Sequence, residues 1–319
     1  MAQVRVARRL PEPAVRLLER AGHDVQVLAD ERPPDRAALL AGVAGADAIV
    51  TLLSDRVDGE LLDAAGPGLR IVANYAVGLD NVDLEACRAR GVRVAHTPGV
   101  LTEETADMTW ALALAVARRV VEGHRLAASG RWTGWAPMQL LGTSLHGRTF
   151  GVVGLGRIGR AAARRARGFG MRVAYAGRSR NEEAERETDA RPLAFEELLA
   201  EADVLSLHCP STPSTRHLID ANALARMKPD AILVNTARGD VVDEQALVDA
   251  LAEERLGGAG LDVFEREPRI HPRLAAFSNV VLAPHLGSAT VRARSEMARM
   301  VAEAVVEVLE GREVAHLAA

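Results

Sequence analysis

The chain has 319 residues, a formal net charge of −4 and only 3% aromatic residues, so its core must be built mainly from aliphatic side chains. This charge balance argues against a nucleic-acid or anionic-membrane partner. No apolar segment is long enough to span a bilayer, and no signal-like region precedes the first strand pattern, so we expect a cytoplasmic protein. The two cysteines, Cys87 and Cys209, lie in apolar patterns, which favours reduced thiols over a disulfide or a metal site.

Short apolar strands alternate with helices over the first hundred residues. The pattern predicts strands at 4–7, 24–28, 48–53, 71–75 and 92–95, and helices at 13–21, 35–43, 59–65 and 84–90. Such alternation implies right-handed crossovers and a parallel sheet that is covered by helices on both faces. This first unit is predicted to end near Pro98 and Gly99.

A long and unusually apolar helix is predicted next, over residues 105–128. Glu103 and Glu104 stand near its start, where negative side chains interact favourably with the positive end of the helix dipole. Residues 111–116 are all apolar. Two interpretations stay open: the helix lies at the centre of a domain core, or it is buried against another subunit. A loop rich in Trp, Gly and Pro follows at 132–142.

A dinucleotide-binding fingerprint stands at the centre of the chain. An apolar strand pattern leads into Gly154-x-Gly156-x-x-Gly159, a helix follows over about 160–168, and another strand follows at 171–176. In this motif Gly154 permits the tight turn, Gly156 lets a pyrophosphate approach the backbone, and Gly159 allows close packing of helix on strand. The pyrophosphate is then expected at the positive end of the helix.

The sequence after the next strand favours NADP(H). An NAD-specific site places Asp or Glu there to bind the ribose 2′-hydroxyl, whereas this chain has Gly177-Arg178-Ser179-Arg180. An arginine and a hydroxyl would bind a 2′-phosphate through charge-assisted hydrogen bonds. NAD(H) stays possible, because both arginines could simply be surface residues in a chain whose only lysine is Lys228.

The remaining elements complete a second α/β unit. Helices are predicted at 195–201, 222–227 and 244–252, and strands at 204–209, 231–235, 258–261 and 280–282, while 181–191 is interpreted as a solvated surface segment. The amphipathic helix at 291–310 has no sheet after it, so we expect it to pack on the first unit. The prediction is an α/β protein with two doubly wound parallel-sheet domains and a cleft between them: a flavodoxin-like substrate domain (1–99 and 288–319) and a Rossmann-type cofactor domain (100–287).

Three predicted strand ends of the second unit carry polar residues that suit carbonyl reduction. His285 is the natural proton donor, because imidazole titrates near neutral pH. Glu267 can orient that imidazole and favour its protonated form. Arg238 can bind a planar carboxylate through two parallel hydrogen bonds and polarise the carbonyl. Because ligands of open α/β sheets bind at the carboxyl ends of the strands, we expect the three to meet there.

These motifs resemble the D-isomer-specific 2-hydroxyacid dehydrogenase family over essentially the whole chain. The resemblance rests on NYAVGLDNVD (74–83), NTARGDVV (235–242), GLDVFEREP (260–268) and PHLGSAT (284–290). Within the family the chain is most similar to the glyoxylate and hydroxypyruvate reductase branch, through NYAVG (74–78), TGWAPM (133–138), GRS (177–179) and GSAT (287–290). The link between Glu267-Pro268 and His271-Pro272 is shorter than in many members, which could alter the rim of the pocket.

The resemblance implies NAD(P)H-dependent reduction of glyoxylate to glycolate and of hydroxypyruvate to D-glycerate. It implies that Arg238 binds the 2-oxoacid, that His285 donates the proton and that Glu267 is its partner. Backbone amides of Val77 and Gly78 would bind the substrate carboxylate. The residues implied at the cofactor are Leu155, Gly156, Arg157 and Ile158 at the pyrophosphate, flanked by Gly154 and Gly159; Gly177, Arg178 and Ser179 at the 2′-phosphate; Thr236, Ala237, Arg238, Asp262, His285 and Gly287 at the nicotinamide side; and Thr105, Cys209 and Pro210 along the pocket.

The resemblance also implies a homodimer through the cofactor domains, with the long apolar helix at the interface. Trp135 would then lie in a loop able to reach the substrate pocket of the partner. Two alternatives stay open. One is a D-3-phosphoglycerate dehydrogenase or another D-2-hydroxyacid dehydrogenase, and the other is a dinucleotide-sensing corepressor or scaffold, since relatives of that kind can keep all three catalytic residues.

Overall fold

The computed structural model describes residues 1–318. Their contacts divide the chain into two units, one formed by Met1–Leu101 with the segment that begins at Thr290, the other by Thr102–Ala289. Each unit is built on its own parallel sheet, which confirms the α/β class with two parallel-sheet domains. Within the described residues, no helix combines the length and the apolar composition needed to cross a lipid bilayer.

The first unit contains five parallel strands in the order β2-β1-β3-β4-β5. Its strands are β1 (Gln3–Val6), β2 (Asp24–Val27), β3 (Ala48–Leu52), β4 (Ile71–Tyr75) and β5 (Arg93–Ala95), and its first helices are α1 (Ala14–Arg20), α2 (Arg36–Gly42), α3 (Gly59–Ala65) and α4 (Leu84–Ala89). Asp35, Asp58 and Asp83 cap α2, α3 and α4 by accepting a backbone N–H with their side chains. Such caps satisfy donors that have no partner inside the helix.

The second unit contains seven parallel strands in the order β12-β11-β10-β9-β6-β7-β8. Its elements in chain order are α5 (Thr102–Ala117), α6 (Val120–Ala128), β6 (Thr149–Val153), α7 (Arg157–Gly168), β7 (Arg172–Ala176), α8 (Glu182–Thr188), β8 (Ala190–Pro192), α9 (Phe195–Glu201), β9 (Val204–Leu207), α10 (Ala221–Arg226), β10 (Ile232–Asn235), α11 (Glu244–Ala252), β11 (Gly258–Leu261) and β12 (Val280–Leu282). Strand order reverses between β6 and β9, which is where doubly wound sheets bind ligands. The two faces of the sheet pack against separate apolar clusters.

The terminal helix α12 (Val291–Leu309) packs on the first sheet. Its buried face carries Met297, Val301 and Val305, which share one core cluster with Val4 and Val6 of β1. Thr290 caps its first turn by accepting the N–H of Ala293. The segment thus completes the first unit from the far end of the chain.

The prediction of one helix over 105–128 is wrong. The chain breaks between α5 and α6 because Arg119 adopts the left-handed conformation, with φ of 53°. Arg119 is held there by two hydrogen bonds from its guanidinium to Glu122. The apolar run of α5 packs on β10, β11 and β12 of its own unit, so it needs no partner subunit to bury it.

The segment 181–191 exposes most of its charged side chains, as expected for a surface segment, but it also forms α8 and most of the edge strand β8, which the sequence pattern did not predict. Asn181 caps α8, and Ala184 and Thr188 are fully buried between charged neighbours. The high content of Glu and Arg concealed this amphipathic pattern. Strand β9 ends at Leu207, so Cys209 lies beyond the strand in which the sequence pattern placed it.

Candidate active site

The glycine motif forms a tight turn between β6 and α7. Gly154 has φ of +94°, which a side chain would strain. A Cβ at Gly159 would lie 2.2 Å from the carbonyl oxygen of Gly154, so the helix approaches the strand at backbone contact distance. A Cβ at Gly156 would meet no atom within 4 Å, so the space above this residue is open. The turn therefore has the shape that a pyrophosphate requires.

No side chain caps the start of α7. Its N-cap is Gly156, whereas the helices α8, α10 and α11 are capped by Asn181, Asp220 and Asp243. The first backbone N–H groups of a helix have no partner within it, and the helix dipole adds positive potential at that end. These donors fit the phosphates of a dinucleotide. Arg157, at the first position of α7, is exposed beside them.

Two arginines, Arg178 and Arg180, follow β7, and they differ in whether they bond to the helix α8 that comes next. Arg180 donates to Glu185 at 2.6 Å through Nη2, and Glu185 also accepts the hydroxyl of Tyr175. These two hydrogen bonds lower the pKa of Glu185 to about 2. Arg178 is exposed and makes no ion pair with any residue in 1–318. Of the two arginines, Arg178 is thus the one available to a 2′-phosphate.

The three candidate catalytic residues follow three neighbouring strands. Arg238 follows β10, Glu267 follows β11 and His285 follows β12, and these strands pair in parallel, so their carboxyl ends lie side by side. A Cβ at Gly239 would lie 1.9 Å from the carbonyl carbon of Phe264, which means that the loop of Arg238 packs directly on the backbone that leads to Glu267.

His285 and Glu267 are joined by a hydrogen bond. Nδ1 of His285 lies 2.9 Å from Oε2 of Glu267, and each side chain is 30% exposed. Since a carboxylate only accepts, Nδ1 carries the proton and Nε2 is left for a substrate. Burial by itself raises the pKa of Glu267, but the hydrogen bond with His285, the charge of that imidazole and the charge of Arg238 outweigh it and lower the pKa. Glu267 therefore stays ionised beside the imidazole at neutral pH.

Asp262 holds the turn that presents His285. Its two carboxylate oxygens accept the backbone N–H groups of Leu286, at 2.6 Å, and Gly287, at 2.7 Å. His285 adopts φ of +55°, an uncommon conformation for a residue with a side chain. Its own N–H donates to the carbonyl of Asp262 at 2.8 Å. Burial raises the pKa of Asp262, while the two N–H donors act against this rise.

Asn235 shapes the loop of Arg238. Its side-chain oxygen accepts the N–H of Ala237 at 3.0 Å, and its amide nitrogen donates to the carbonyl of Arg238 at 2.8 Å. Thr236 is tied to Thr109 of α5 through a hydrogen bond of 2.9 Å between their hydroxyls. Asn235 was quoted in the sequence motif without a role, yet a polar residue that ends an apolar strand was a usable signal.

The remaining cofactor candidates lie around the same strand ends of the second unit. The hydroxyl of Thr105 donates to the carbonyl of Gly287 at 3.2 Å. Cys209 lies in the segment that packs on the turn at Gly154, because a Cβ added at Gly154 would lie 3.0 Å from the backbone nitrogen of Cys209. Burial raises the pKa of Cys209 to about 11, so its thiol stays protonated. The other members lie in the same turn or strand ends: Leu155, Ile158, Gly177, Ser179, Pro210 and Ala237.

Two histidines that the sequence patterns did not single out also contact these loops. His217 donates its backbone N–H to the carbonyl of Asp240 at 2.8 Å and bonds Oε1 of Glu265 at 3.0 Å through Nε2, so it links the loops that carry Arg238 and Glu267. His208 lies under the glycine turn, where burial lowers its pKa to about 4 and keeps it neutral. The partners of His217 are far away in sequence, so no local pattern could reveal this link.

Two substrate candidates belong to other segments of the chain. Val77 and Gly78 form the loop after β4 in the first unit. Trp135 lies in the irregular segment between α6 and β6 and is 82% exposed. Trp132, Met138 and Leu141 of the same segment are also exposed.

Comparison with known proteins decides the family. Residues 110–287 match the family model described as D-isomer specific 2-hydroxyacid dehydrogenase, NAD binding domain. The chain belongs to this family. It is therefore an oxidoreductase, and its second unit is the NAD-binding domain of a dehydrogenase.

Proteins of known sequence or structure align with this dehydrogenase over nearly its whole length. A glyoxylate reductase of Thermococcus litoralis is 49% identical over 313 residues, which are 97% of this chain and 94% of that protein. A crystal structure of a Thermus thermophilus protein aligns with a TM-score of 0.94 at 49% identity and covers 99% of this chain and 100% of that one. An NADPH-dependent glyoxylate/hydroxypyruvate reductase from Sinorhizobium meliloti, solved with NADP and malonate, aligns with a TM-score of 0.87 at 34% identity, covering 100% of this chain and 97% of that one.

Proposed function

We propose that this dehydrogenase reduces glyoxylate to glycolate and hydroxypyruvate to D-glycerate, with NADPH as the preferred reductant. The observation that carries the proposal is the pairing of His285 with Glu267 beside Arg238 in the NAD-binding domain. A protonated imidazole, a carboxylate that stabilises it and a guanidinium are the groups that carbonyl reduction of a 2-oxoacid needs. The glyoxylate reductase of Thermococcus litoralis, similar over nearly the full length, supports this substrate.

Each residue has a separate task in the proposed reaction. The bound nicotinamide would supply a hydride to the carbonyl carbon of the substrate. His285 gives the proton on Nε2 to the carbonyl oxygen, while Glu267 stabilises the imidazolium through Nδ1. Arg238 binds the carboxylate and polarises the carbonyl. The family resemblance also implies that backbone amides of Val77 and Gly78 bind the substrate carboxylate. Asp262 keeps His285 in its strained backbone conformation, in addition to its expected place near the nicotinamide.

The cofactor preference rests on the strand end after β7. The turn at Gly154 and the uncapped start of α7 suit the phosphates of either dinucleotide. Arg178 and Ser179 add a free cation and a hydroxyl where an NAD-specific chain would carry an acid. The NADPH-dependent relative from Sinorhizobium meliloti agrees with this preference.

We also propose that the protein is a homodimer formed through its NAD-binding domains. Four large apolar side chains are exposed within the short segment between α6 and β6, and burial of such side chains would favour association: Trp132, Trp135, Met138 and Leu141. Trp135 would reach the substrate pocket of the partner. Light scattering at micromolar concentration tests the mass, and a monomer would refute this part of the proposal.

One assay tests the substrate and separates the alternatives. Oxidation of NADPH and of NADH is followed with glyoxylate, hydroxypyruvate, pyruvate and 3-phosphohydroxypyruvate. We expect the first two to give the highest kcat/KM. A preference for 3-phosphohydroxypyruvate would identify a phosphoglycerate dehydrogenase, and dinucleotide binding without turnover of any 2-oxoacid would favour a corepressor or scaffold.

The variant Arg178→Glu tests the cofactor argument in the same assay. A carboxylate at this position repels the 2′-phosphate and can bind a ribose hydroxyl, so the NADPH/NADH preference should move toward NADH by about tenfold or more. Arg186→Glu, an exposed arginine on α8, is the matched control and should leave the ratio unchanged. An unchanged ratio in Arg178→Glu would show that this arginine does not select the cofactor.

A further inference from the structure

Three successive carbonyl groups of the loop after β4 are held by hydrogen bonds within the first unit. The carbonyl of Ala76 accepts the N–H of Thr97 at 2.9 Å. The carbonyl of Val77 lies 2.9 Å from Nδ1 of His96, which must be the donor because a carbonyl only accepts. The carbonyl of Gly78 accepts Nδ2 of Asn74 at 3.1 Å. Two of the three donors are thus side chains.

This arrangement determines where the amides of the loop point. In a trans peptide the C=O and the N–H of the next residue point in opposite directions, and these peptides are trans. Holding the three carbonyls inward therefore turns the N–H groups of Val77, Gly78 and Leu79 away from the donors. Within residues 1–318, none of these three N–H groups donates to a backbone carbonyl. Consecutive backbone N–H groups without partners form a binding site for an anionic oxygen.

Asn74 is itself held rigidly. It is fully buried, and its side-chain oxygen accepts the hydroxyl of Thr51 at 3.1 Å and an amide hydrogen of Asn81 at 3.2 Å. Asn81 in turn donates to the carbonyls of Leu52, at 3.0 Å, and Asp55, at 2.9 Å. Because both amides are fixed from several sides, the carbonyl of Gly78 meets a preorganised donor.

We propose that His96 and Asn74 are positioning residues for the substrate. They hold the carbonyls of Val77 and Gly78, which turns the N–H groups of Gly78 and Leu79 toward the carboxylate of the 2-oxoacid, beside the N–H of Val77. The inference rests on the proposed function, and it adds two side chains that do not touch the substrate themselves. Without either donor, its carbonyl can turn outward, toward the negative charge that the loop must bind.

Two substitutions at His96 separate positioning from general structure. In His96→Phe the ring remains but the donor is lost, whereas in His96→Asn an amide N–H is placed near the former Nδ1. We expect His96→Phe to raise KM for glyoxylate about tenfold, while kcat and KM for NADPH change less than about threefold. This pattern is expected because the carboxylate is bound equally in the ground state and in the transition state, so losing its contact weakens binding without slowing the chemical step. His96→Asn should restore KM to within about threefold of the original. His124→Phe, at an exposed histidine of α6 in the second unit, is the control.

Asn74→Asp is a second variant, because it keeps the size of the side chain but replaces the donor to Gly78 by an acceptor. It should raise KM for glyoxylate at least as much as His96→Phe. Calorimetric titration of the NADPH-bound protein with oxamate, an unreactive 2-oxoacid analogue, measures the carboxylate contact without turnover. The affinity for oxamate should fall by the same factor by which KM for glyoxylate rises. Melting temperatures are recorded for every variant.

Two results would overturn the proposal. One is a KM for glyoxylate and an oxamate affinity that stay within twofold of the original in His96→Phe. The other is a His96→Phe variant that loses affinity for NADPH by the same factor as for oxamate and melts at a lower temperature, with neither change rescued in His96→Asn. That result would mean that His96 has a purely structural role. The proposed function is judged separately, on turnover by the unchanged protein. If that turnover is absent, the oxamate titration still tests the positioning of the loop.

Discussion

Glu267→Gln removes the charge from the candidate proton-donating pair and nearly preserves its shape. Oε2 of Glu267 accepts Nδ1–H of His285 at 2.9 Å, and Oε1 accepts the N–H of Phe264 at 3.0 Å. An amide has a single oxygen, so the glutamine can satisfy only one of these donors and must turn its NH₂ group toward the other. The substitution therefore loses both the negative charge and the orientation of the imidazole.

The magnitude follows from this geometry. General acid catalysis by a positioned side chain contributes about a hundredfold to ten-thousandfold in rate, and the 30% exposure of both side chains places this pair at the lower end. We therefore expect misorientation of the donor to reduce kcat at neutral pH by about a hundredfold. Because the pKa of Glu267 is lowered in the folded protein, the original carboxylate is charged from pH 5 to pH 9, so the loss should be nearly the same across this range.

The assay is the pH dependence of glyoxylate reduction from pH 5 to pH 9 with saturating NADPH. Glu253→Gln is the matched control, because it removes an exposed partner of Arg255 by the same chemical change. KM for NADPH should stay constant in both variants. A kcat for Glu267→Gln within about threefold of the original across this pH range would refute the role of this pair in proton donation.

Three further predictions concern stability and specificity. Gly159→Ala places a methyl group 2.2 Å from the carbonyl oxygen of Gly154, so we expect at least about 2 kcal/mol of destabilisation in urea unfolding and weakened NADPH binding by fluorescence titration. Burial acts to raise the pKa of Asp203, but its hydrogen bond with Lys228 and its other partners lower it, so this carboxylate stabilises the fold above its unfolded-state pKa and loses that effect as acid protonates it. Asp203→Asn should therefore cost about 2 kcal/mol at pH 7 and progressively less below pH 4, as measured by denaturant unfolding at each pH. Trp135→Ala should change the ratio of kcat/KM for glyoxylate and hydroxypyruvate, and an unchanged ratio would count against its place at a partner's pocket.

The parallel sheets were predictable because their signals are local. Each strand is a short apolar run between helices, and the glycine spacing at 154–159 identifies the turn by the conformations that it requires. The failures were also local in origin. The apolar pattern of α5 continued past Arg119, where a left-handed residue ends the helix, and the charge of α8 concealed the two buried residues that attach it to the unit.

The amino-acid sequence by itself determined the fold class, the position of the dinucleotide turn and the identities of the three candidate catalytic residues, since each depends on spacing or on the end of a strand. Only the tertiary structure decided which groups hold those residues in place. Asp262 fixes the turn of His285, Asn235 fixes the loop of Arg238, and His217 links the loops of Arg238 and Glu267. These bonds join strand ends or loops that come together only when the chain folds. A hydrogen bond between residues that are distant in sequence produces no periodic pattern from which it could be predicted.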